Sequence, residues 1–404
     1  MIKTVFFLLL PLTLFAKPFS IVLDKPFESA LFDITEDYDR TISAIGISKV
    51  FQKHATQQSY DSPFEYLSAH SQSYGSQMHL VKLNPKNGAL LLSKRAKLNH
   101  FNKAVSLEKN AHNGYFVGGY TMDGSLLVAK LDPNGKILQS QLFGTKNFDR
   151  MNKIILLSDG GILAIGSSTT SRNTQDDLFT TGLGNNDIFL TRFDKNLHML
   201  WSKKYGTNHD DRGIDAAEAF DGSIVVIGTT SYEAHRDVVL MRISENGDRI
   251  WLKHFQRKTT TIPTALIATK DETFLAVVNE YDASHKQYVH LVRFDLYNNI
   301  VTDKKYKLPY SIRLNDITQF SDGSFMGVGS STFKGNTDGF VMRFSSQLTL
   351  THHKRYGDKN FDTLYAITPL DTMQAAASGV YTPNNSQEGH MWVVKLNADG
   401  SLAH

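Results

Sequence analysis

One cation recurs along this chain inside short apolar segments, at Lys82, Lys130, Arg192, Arg242, Arg293, Arg343 and Lys395. The successive spacings are 48, 62, 50, 51, 50 and 52 residues. A period sustained over a whole chain restricts the fold to stacked or ring-arranged repeats, each too small to bury its own apolar face. The segments read QMHLVKLN, SLLVAKLD, DIFLTRFD, DVVLMRIS, YVHLVRFD, DGFVMRFS and HMWVVKLN, and turn residues such as PNG, ENG or ADG follow. Each is a β-strand ending in a turn. The one long spacing contains the polar insertion SRNTQDDLFTTGLG, residues 171–184.

Three further strand signals fall in fixed order within each period, most clearly from Gly206 to Phe255. GIDAAEAF leads through Asp221 and Gly222 into SIVVIGTTS, and DVVLMRIS and RIWLKHF follow. The same Asp-Gly turn stands at Asp159–Gly160 and Asp322–Gly323, where a tight antiparallel connection needs positive φ. Four short antiparallel strands per ~50 residues make one propeller blade. An α-solenoid of similar period would need apolar residues at helical spacing, whereas these segments are short, β-branched and bounded by Gly, Asp and Asn. The expectation is all-β: a seven-bladed β-propeller of four-stranded antiparallel blades.

Counting strands addresses closure, because a ring must hide its first and last edges. The first strand of the repeat occurs seven times, near Leu31, Ala104, Ile154, Ala216, Ala265, Ile317 and Ala366. The fourth occurs six times before the chain ends in SLAH, and PFSIVLDKP precedes the first repeat as an unassigned strand. Residues 18–23 are therefore expected to form the outer strand of the last blade, latching the ring.

Lys3 followed by the apolar run Val5 to Phe15 and Ala16 has the layout of a secretory signal. The run is about half of the ~20 residues a membrane span needs, and Pro11 interrupts it. Removal of residues 1–16 would leave 17–404 as one propeller, expected to be monomeric and periplasmic or secreted. Cysteine is absent, which excludes disulfides, thiolate metal sites, a cysteine nucleophile and a lipidated cysteine. The formal charge is +3 and becomes +2 without Lys3, so no bulk field draws the chain to nucleic acid or anionic lipid. Nucleic acid is not an expected partner.

The stretch WSKKYGTNHDDRGIDAAEAFDGSIVVIGTTS followed by DVVLMRISENGDRIW resembles a repeat of exported bacterial β-propellers. Its marks are an aromatic-Gly loop, an Asp, a DGG turn, a Gly-Ser/Thr strand end, then Asp, a cation and a Gly turn leading to Trp. They are fullest at Phe143–Gly166, Tyr205–Gly228 and Tyr356–Gly379, and weakest from Phe255 to Val278, which keeps Asp271 alone of the turn. ISENGDRIW also resembles, distantly, the repeats of quinoprotein-like propellers and of assembly scaffolds sharing their fold. The full Trp-docking motif is missing, so the resemblance implies no quinone, and no cofactor is expected.

In a four-stranded blade, the loops joining strands two and three and those joining successive blades emerge on one face. Both long insertions, about 51–76 and 171–184, belong to two-to-three loops, and long loops in compact domains are commonly functional. The first carries Tyr60, Phe64, Tyr66 and Tyr74 among polar residues, a composition suited to an adaptable contact surface. The inter-blade loops carry Asp149 with Arg150, His209 with Asp211 and Arg212, and Asp362; the three acids each stand five residues after a Gly. A fixed offset in a repeat points to architecture, an Asp accepting backbone N–H bonds as the chain turns inward. The alternative is a ring of charged groups holding a ligand at the channel mouth.

The recurring strand cations are expected to pair between blades with carboxylates. Trp201, Trp251 and Trp392 are expected to pack between blades with an acceptor for each indole N–H, and His352 and His353 to lie on the surface by an outer strand. No GxSxG elbow, P-loop, HExxH or calcium loop is present, and neither metal nor catalytic residues are expected. Two functions remain open from sequence: a non-catalytic interaction or scaffold module contacting a protein or cell-envelope component through the insertion-bearing face, or a glycan-directed hydrolase or lyase using acids at the channel mouth. A divergent cofactor-binding propeller is a third.

Overall fold

Strands that are apolar on both faces must be covered on both, and the segments of this repeat bury nearly every residue of their second and third strands. A computed structural model describes residues 19–23, 28–49, 77–96, 101–121, 125–145, 149–169, 186–232, 235–255, 259–370, 373–384, 386 and 388–403. It shows seven four-stranded antiparallel sheets arranged as a β-propeller.

The first strand in the chain is β1 (Ser20–Leu23). Blade 1 comprises β2 (Ser29–Glu36), β3 (Ile42–Ser48), β4 (Gln77–Leu83) and β5 (Leu90–Ala96). Blade 2 comprises β6 (Phe101–Lys109), β7 (Tyr115–Thr121), β8 (Leu126–Leu131) and β9 (Ile137–Phe143). Blade 3 comprises β10 (Asp149–Leu156), β11 (Ile162–Thr169), β12 (Asn186–Phe193) and β13 (Met199–Tyr205). Blade 4 comprises β14 (Asp210–Glu218), β15 (Ile224–Tyr232), β16 (His235–Ile243) and β17 (Arg249–Phe255). Blade 5 comprises β18 (Thr260–Ala268), β19 (Phe274–Tyr281), β20 (Gln287–Phe294) and β21 (Ile300–Tyr306). Blade 6 comprises β22 (Ser311–Gln319), β23 (Phe325–Phe333), β24 (Asn336–Phe344) and β25 (Leu350–Tyr356). Blade 7 comprises β26 (Thr363–Pro369), β27 (Ala375–Tyr381) and β28 (His390–Leu396), with β1 as its outer strand, antiparallel to β28 from Ser20↔Val394 to Leu23↔Met391. No helix among the described residues is long and apolar enough to cross a membrane.

The core is divided into layers between neighbouring blades. Leu163, Ile165 and Leu190 of blade 3, for example, pack with Val226, Val239 and Met241 of blade 4. Outer strands carry the solvent-facing residues; β13 exposes Met199, Leu200 and Ser202. Three of these strands lean on the hairpin turn of the next blade, where Tyr205, Tyr306 and Tyr356 donate to the carbonyls of Gly247, Leu348 and Gly400 at 2.6, 2.5 and 2.6 Å. At the junction of blades 7 and 1, Ile21 and Phe19 take that place, directly against the backbone of Gly88.

Every innermost strand carries a β-bulge at the same register, leaving Phe32, Val105, Asn152, Ile214, Thr264, Asn315 and Tyr365 as the extra residues. The bulge explains the Gly of the Gly-Ser/Thr strand end. A Cβ on Gly46, Gly119, Gly166, Gly228, Gly329 or Gly379 would fall 1.8–2.3 Å from the carbonyl oxygen two residues before the bulge. Blade 5 is the exception, with Val278 opposite Pro263.

The bulges also aim polar groups across the blade interfaces. Asn152, Thr264 and Asn315 donate to the carbonyls of Gly213, Leu314 and Leu364 in the following blade at 2.6, 2.7 and 2.8 Å. One residue further on, Asp33, Ser106, Asp215 and Asp316 accept the N–H of Leu107, Ile154, Leu266 and Ile367 at 2.9, 3.2, 2.9 and 2.9 Å. Between blades 7 and 1 a ring pair replaces the hydrogen bond, Phe32 against Tyr365 at 5.4 Å. The wall of the channel is thereby stapled at all seven interfaces.

The strand-three cations correct one expectation. Lys82, Arg192 and Arg242 pair with Asp37, Asp159 and Asp221 at 3.0, 2.7 and 2.5 Å, each within its own blade. The cation sits where strand three passes the turn joining strands one and two, so its nearest carboxylate belongs to that turn. What crosses between blades is contact with backbone carbonyls: Lys130 to Lys195, Arg293 to Ser346 and Lys395 to Pro85, all at 3.1 Å. All three tryptophans pack between blades: Trp201 and Trp251 donate to the carbonyls of Glu245 and Leu296 in the next blade at 2.9 and 3.3 Å, and Trp392 lies against Gly339 and Val341 of blade 6 while its indole N–H bonds Ser20 of its own blade at 2.9 Å.

Candidate binding site at the channel mouth

Residues 51–76 and 171–184, and with them Tyr60, Phe64, Tyr66 and Tyr74, lie outside the described residues. The bases of both insertions are described. Ser48 pairs with Gln77, and Thr169 with Asn186, at the end of each blade where the inter-blade loops enter the innermost strands.

Those loops carry the three sequence-predicted acids, each buried and committed to backbone. Thr145 donates its N–H to Asp149 at 2.5 Å, Thr207 to Asp211 at 2.6 Å, and Asp358 to Asp362 at 2.8 Å. Asp362 accepts a second N–H from Thr382 at 2.7 Å, and burial pushes its pKa up to about 7. The Gly five residues earlier is required by the same contact, because a Cβ on Gly144, Gly206 or Gly357 would lie 2.5, 2.8 or 2.2 Å from the carboxylate. The fixed Gly-to-Asp offset is thus a loop-closing device. His209 is half-buried in the same loop as Asp211, its N–H on the Thr207 hydroxyl at 3.1 Å.

Arg150 and Arg212 have a different setting. Both stand two residues before the bulge of an innermost strand, and positions two apart share a face. Lys103 and Arg313 hold the same register in blades 2 and 6. Arg150, Arg212 and Arg313, with Arg236 from the start of β16, line a cavity of about 120 Å³ in the channel. Arg313 is braced by Asn315 and the Tyr281 hydroxyl at 2.8 and 3.0 Å. Burial, and after it the neighbouring Lys49 charge, presses the Lys103 pKa down to about 8.

Below the mouth, at the neck, Lys153 reaches Asp33 at 3.1 Å. Burial alone would favour neutral Lys153, but Asp33, Asp316 and Asp215 raise its pKa and keep it charged. Burial raises Asp215 to about 7 and Glu108 to about 8, and raises Asp316 as well, with Lys153 pulling each the other way. Lys153 keeps 27% of its side chain accessible, so channel water weakens these couplings relative to a dry pair. The cavity wall bears five cations, Arg150, Lys153, Arg212, Arg236 and Arg313, against two carboxylates, Asp215 and Asp316.

The sequence pointed to Arg150 and Arg212 but not to Arg313, Arg236 or the neck. A signal existed: Asp33, Asp215 and Asp316 fall at one register of the first strands LFDITED, GIDAAEAF and LNDITQF. Among the described residues, no three His, Asp or Glu side chains converge as metal ligands do.

No family model matches the chain. A stretch of 98 residues is 27% identical to the regulatory protein FlaEY of Caulobacter vibrioides, covering 24% of this chain and only 10% of that protein. Among solved structures, hydrazine synthase of Kuenenia stuttgartiensis superposes with a TM-score of 0.57 at 9% identity, over 94% of this chain and 98% of that one. Puromycin hydrolase gives 0.56 at 10% identity, over 95% and 55%, and an ulvan lyase of polysaccharide lyase family 25 gives 0.53 at 11%, over 81% and 89%. At such identities the likeness concerns the fold alone.

Proposed function

We propose that this chain is an exported, non-catalytic β-propeller that acts as an interaction or scaffold module, engaging a protein or cell-envelope component through its insertion-bearing face. One observation carries the reading: the acids that could have done chemistry on that face, Asp149, Asp211 and Asp362, hold their own loops through backbone N–H groups. The bases of both insertions lie at the same end of their blades. Export rests on the signal-like first sixteen residues. Propellers of similar shape include enzymes, so the fold leaves function to the site.

The second reading, a glycan-directed hydrolase or lyase, has less support. Paired glycosidase carboxylates stand about 5–9.5 Å apart with lone pairs open to substrate, whereas these three belong to blades 3, 4 and 7 and are engaged by backbone.

The test is in-cell crosslinking from the 51–76 insertion followed by partner identification. The proposal expects a discrete envelope or protein partner, lost when that insertion is replaced by a short Gly-Ser linker. Recovery of abundant bystanders alone, unchanged by the replacement, removes the support for it.

A further inference from the structure

We infer that the channel mouth is a binding site for a multivalent oxyanion group, a phosphate or clustered carboxylates. The site shares its face with the partner reading and deepens it by assigning a ligand chemistry to the centre of that face.

Three observations converge. The first is register: Lys103, Arg150, Arg212 and Arg313 occupy one structural position, two residues before the bulge, in four of seven blades. Three of them, Arg150, Arg212 and Arg313, line the cavity, so the repeat gathers side chains about 60 or more residues apart into one rim. The second is the charge of the wall: four guanidiniums, Arg150, Arg212, Arg236 and Arg313, and Lys153, itself paired with Asp33, face Asp215 and Asp316, which already accept backbone N–H bonds from Leu266 and Ile367. Burial further pushes Asp215 toward neutrality. The third is space. The cavity of about 120 Å³ exceeds the ~10–15 Å³ one water needs, and its Asn152, Thr229 and Ser167 can complete an anion's hydrogen bonds.

The chemistry follows. A guanidinium offers a planar fork matched to two oxygens of a phosphate or carboxylate. Several such groups facing one narrow channel between low-dielectric walls concentrate their field at its centre. A chloride could satisfy the charge but not the fork geometry. A multivalent oxyanion satisfies both.

The test is calorimetric titration of the purified protein at constant ionic strength in chloride, with inorganic phosphate in one arm and citrate in the other. The inference expects saturable one-site binding of at least one anion; tight phosphate with weak citrate identifies a phosphate group, and the converse clustered carboxylates. Arg150→Gln and Arg212→Gln should each weaken that binding at least tenfold, while Arg192→Gln, whose partner Asp159 lies at the opposite end of the blade, leaves it unchanged. Should either variant fail to fold, Arg236→Gln, on a half-exposed side chain, serves as the same test. Absence of saturable heat from both anions, or equal affinity in Arg150→Gln, Arg212→Gln or Arg236→Gln, overturns the site. The partner reading fails separately, through the crosslink from residues 51–76 rather than through the titration.

Discussion

Removing residues 17–24 tests whether the segment before the first blade holds the ring shut. The structure sets the magnitude. Phe19 and Leu23 are 4% and 8% exposed, and burying such side chains contributes about 2–3 kcal/mol each. Ile21 and Val22 are half-buried and add about 1 kcal/mol apiece on the same scale. Phe19 bonds the backbone of both Ala403 and Lys395, at 2.7 and 3.0 Å, and Ser20 accepts the Trp392 indole; such bonds contribute about 1 kcal/mol each. Ordering five residues costs about 1 kcal/mol each, and exposing the inner face of β28, including Trp392 at 2% exposure, costs about 2–3 kcal/mol more. The net loss is about 6–9 kcal/mol on these figures. With an unfolding entropy of about 2.1 cal/mol/K per residue, that lowers the melting temperature by about 7–11 °C for a chain of this length. Differential scanning calorimetry of the two proteins reads it directly, and the freed β28 edge should promote association. A transition unchanged within a degree refutes the latch and the energetics assigned to it.

Two further predictions rest on the blade interior. Gly228→Ala should destabilise by about 2–4 kcal/mol in urea unfolding, because its Cβ would meet the Arg212 carbonyl oxygen at 2.3 Å and the bulge leaves no room to retreat; Gly222→Ala, whose Cβ meets nothing within 4 Å but whose φ is 79°, should cost only about 1 kcal/mol. Glu108→Gln should flatten the dependence of melting temperature on pH. A carboxyl raised in the fold to about 8 from an unfolded value near 4.5 destabilises the fold increasingly as pH climbs through that window, so the variant should melt higher than the parent at pH 8 and equally at pH 4.5.

The fold was legible because one blade position carries a cation in all seven repeats, making the period countable from Lys82 to Lys395. The Gly-to-Asp offset at Asp149, Asp211 and Asp362 was legible as architecture for the same reason, repetition. The partner of the strand-three cations was not, since a sequence period says which residues are equivalent and not whether Asp159 or a neighbouring blade lies nearer to Arg192. The bulges were hidden as well. A single extra residue shifts the strand by one place without altering its apolar character, yet it decides that Asn152 and Asp215 face the channel. The rim at the mouth follows from that shift. Arg150 and Arg212 drew notice as members of polar loops, whereas Arg313 in SIRLNDIT reads as an isolated charge until the register is known.

The proposed function requires that one face of the ring does the binding. Photo-crosslinking amino acids placed singly at Asp210, the first residue of β14 at the mouth, and at Phe220, 71% exposed in the turn at the opposite end of blade 4, test it within a single blade. A single binding face gives one discrete crosslinked partner from Asp210 in cells and none from Phe220. The same partner from both positions, or a discrete partner from Phe220 alone, contradicts it.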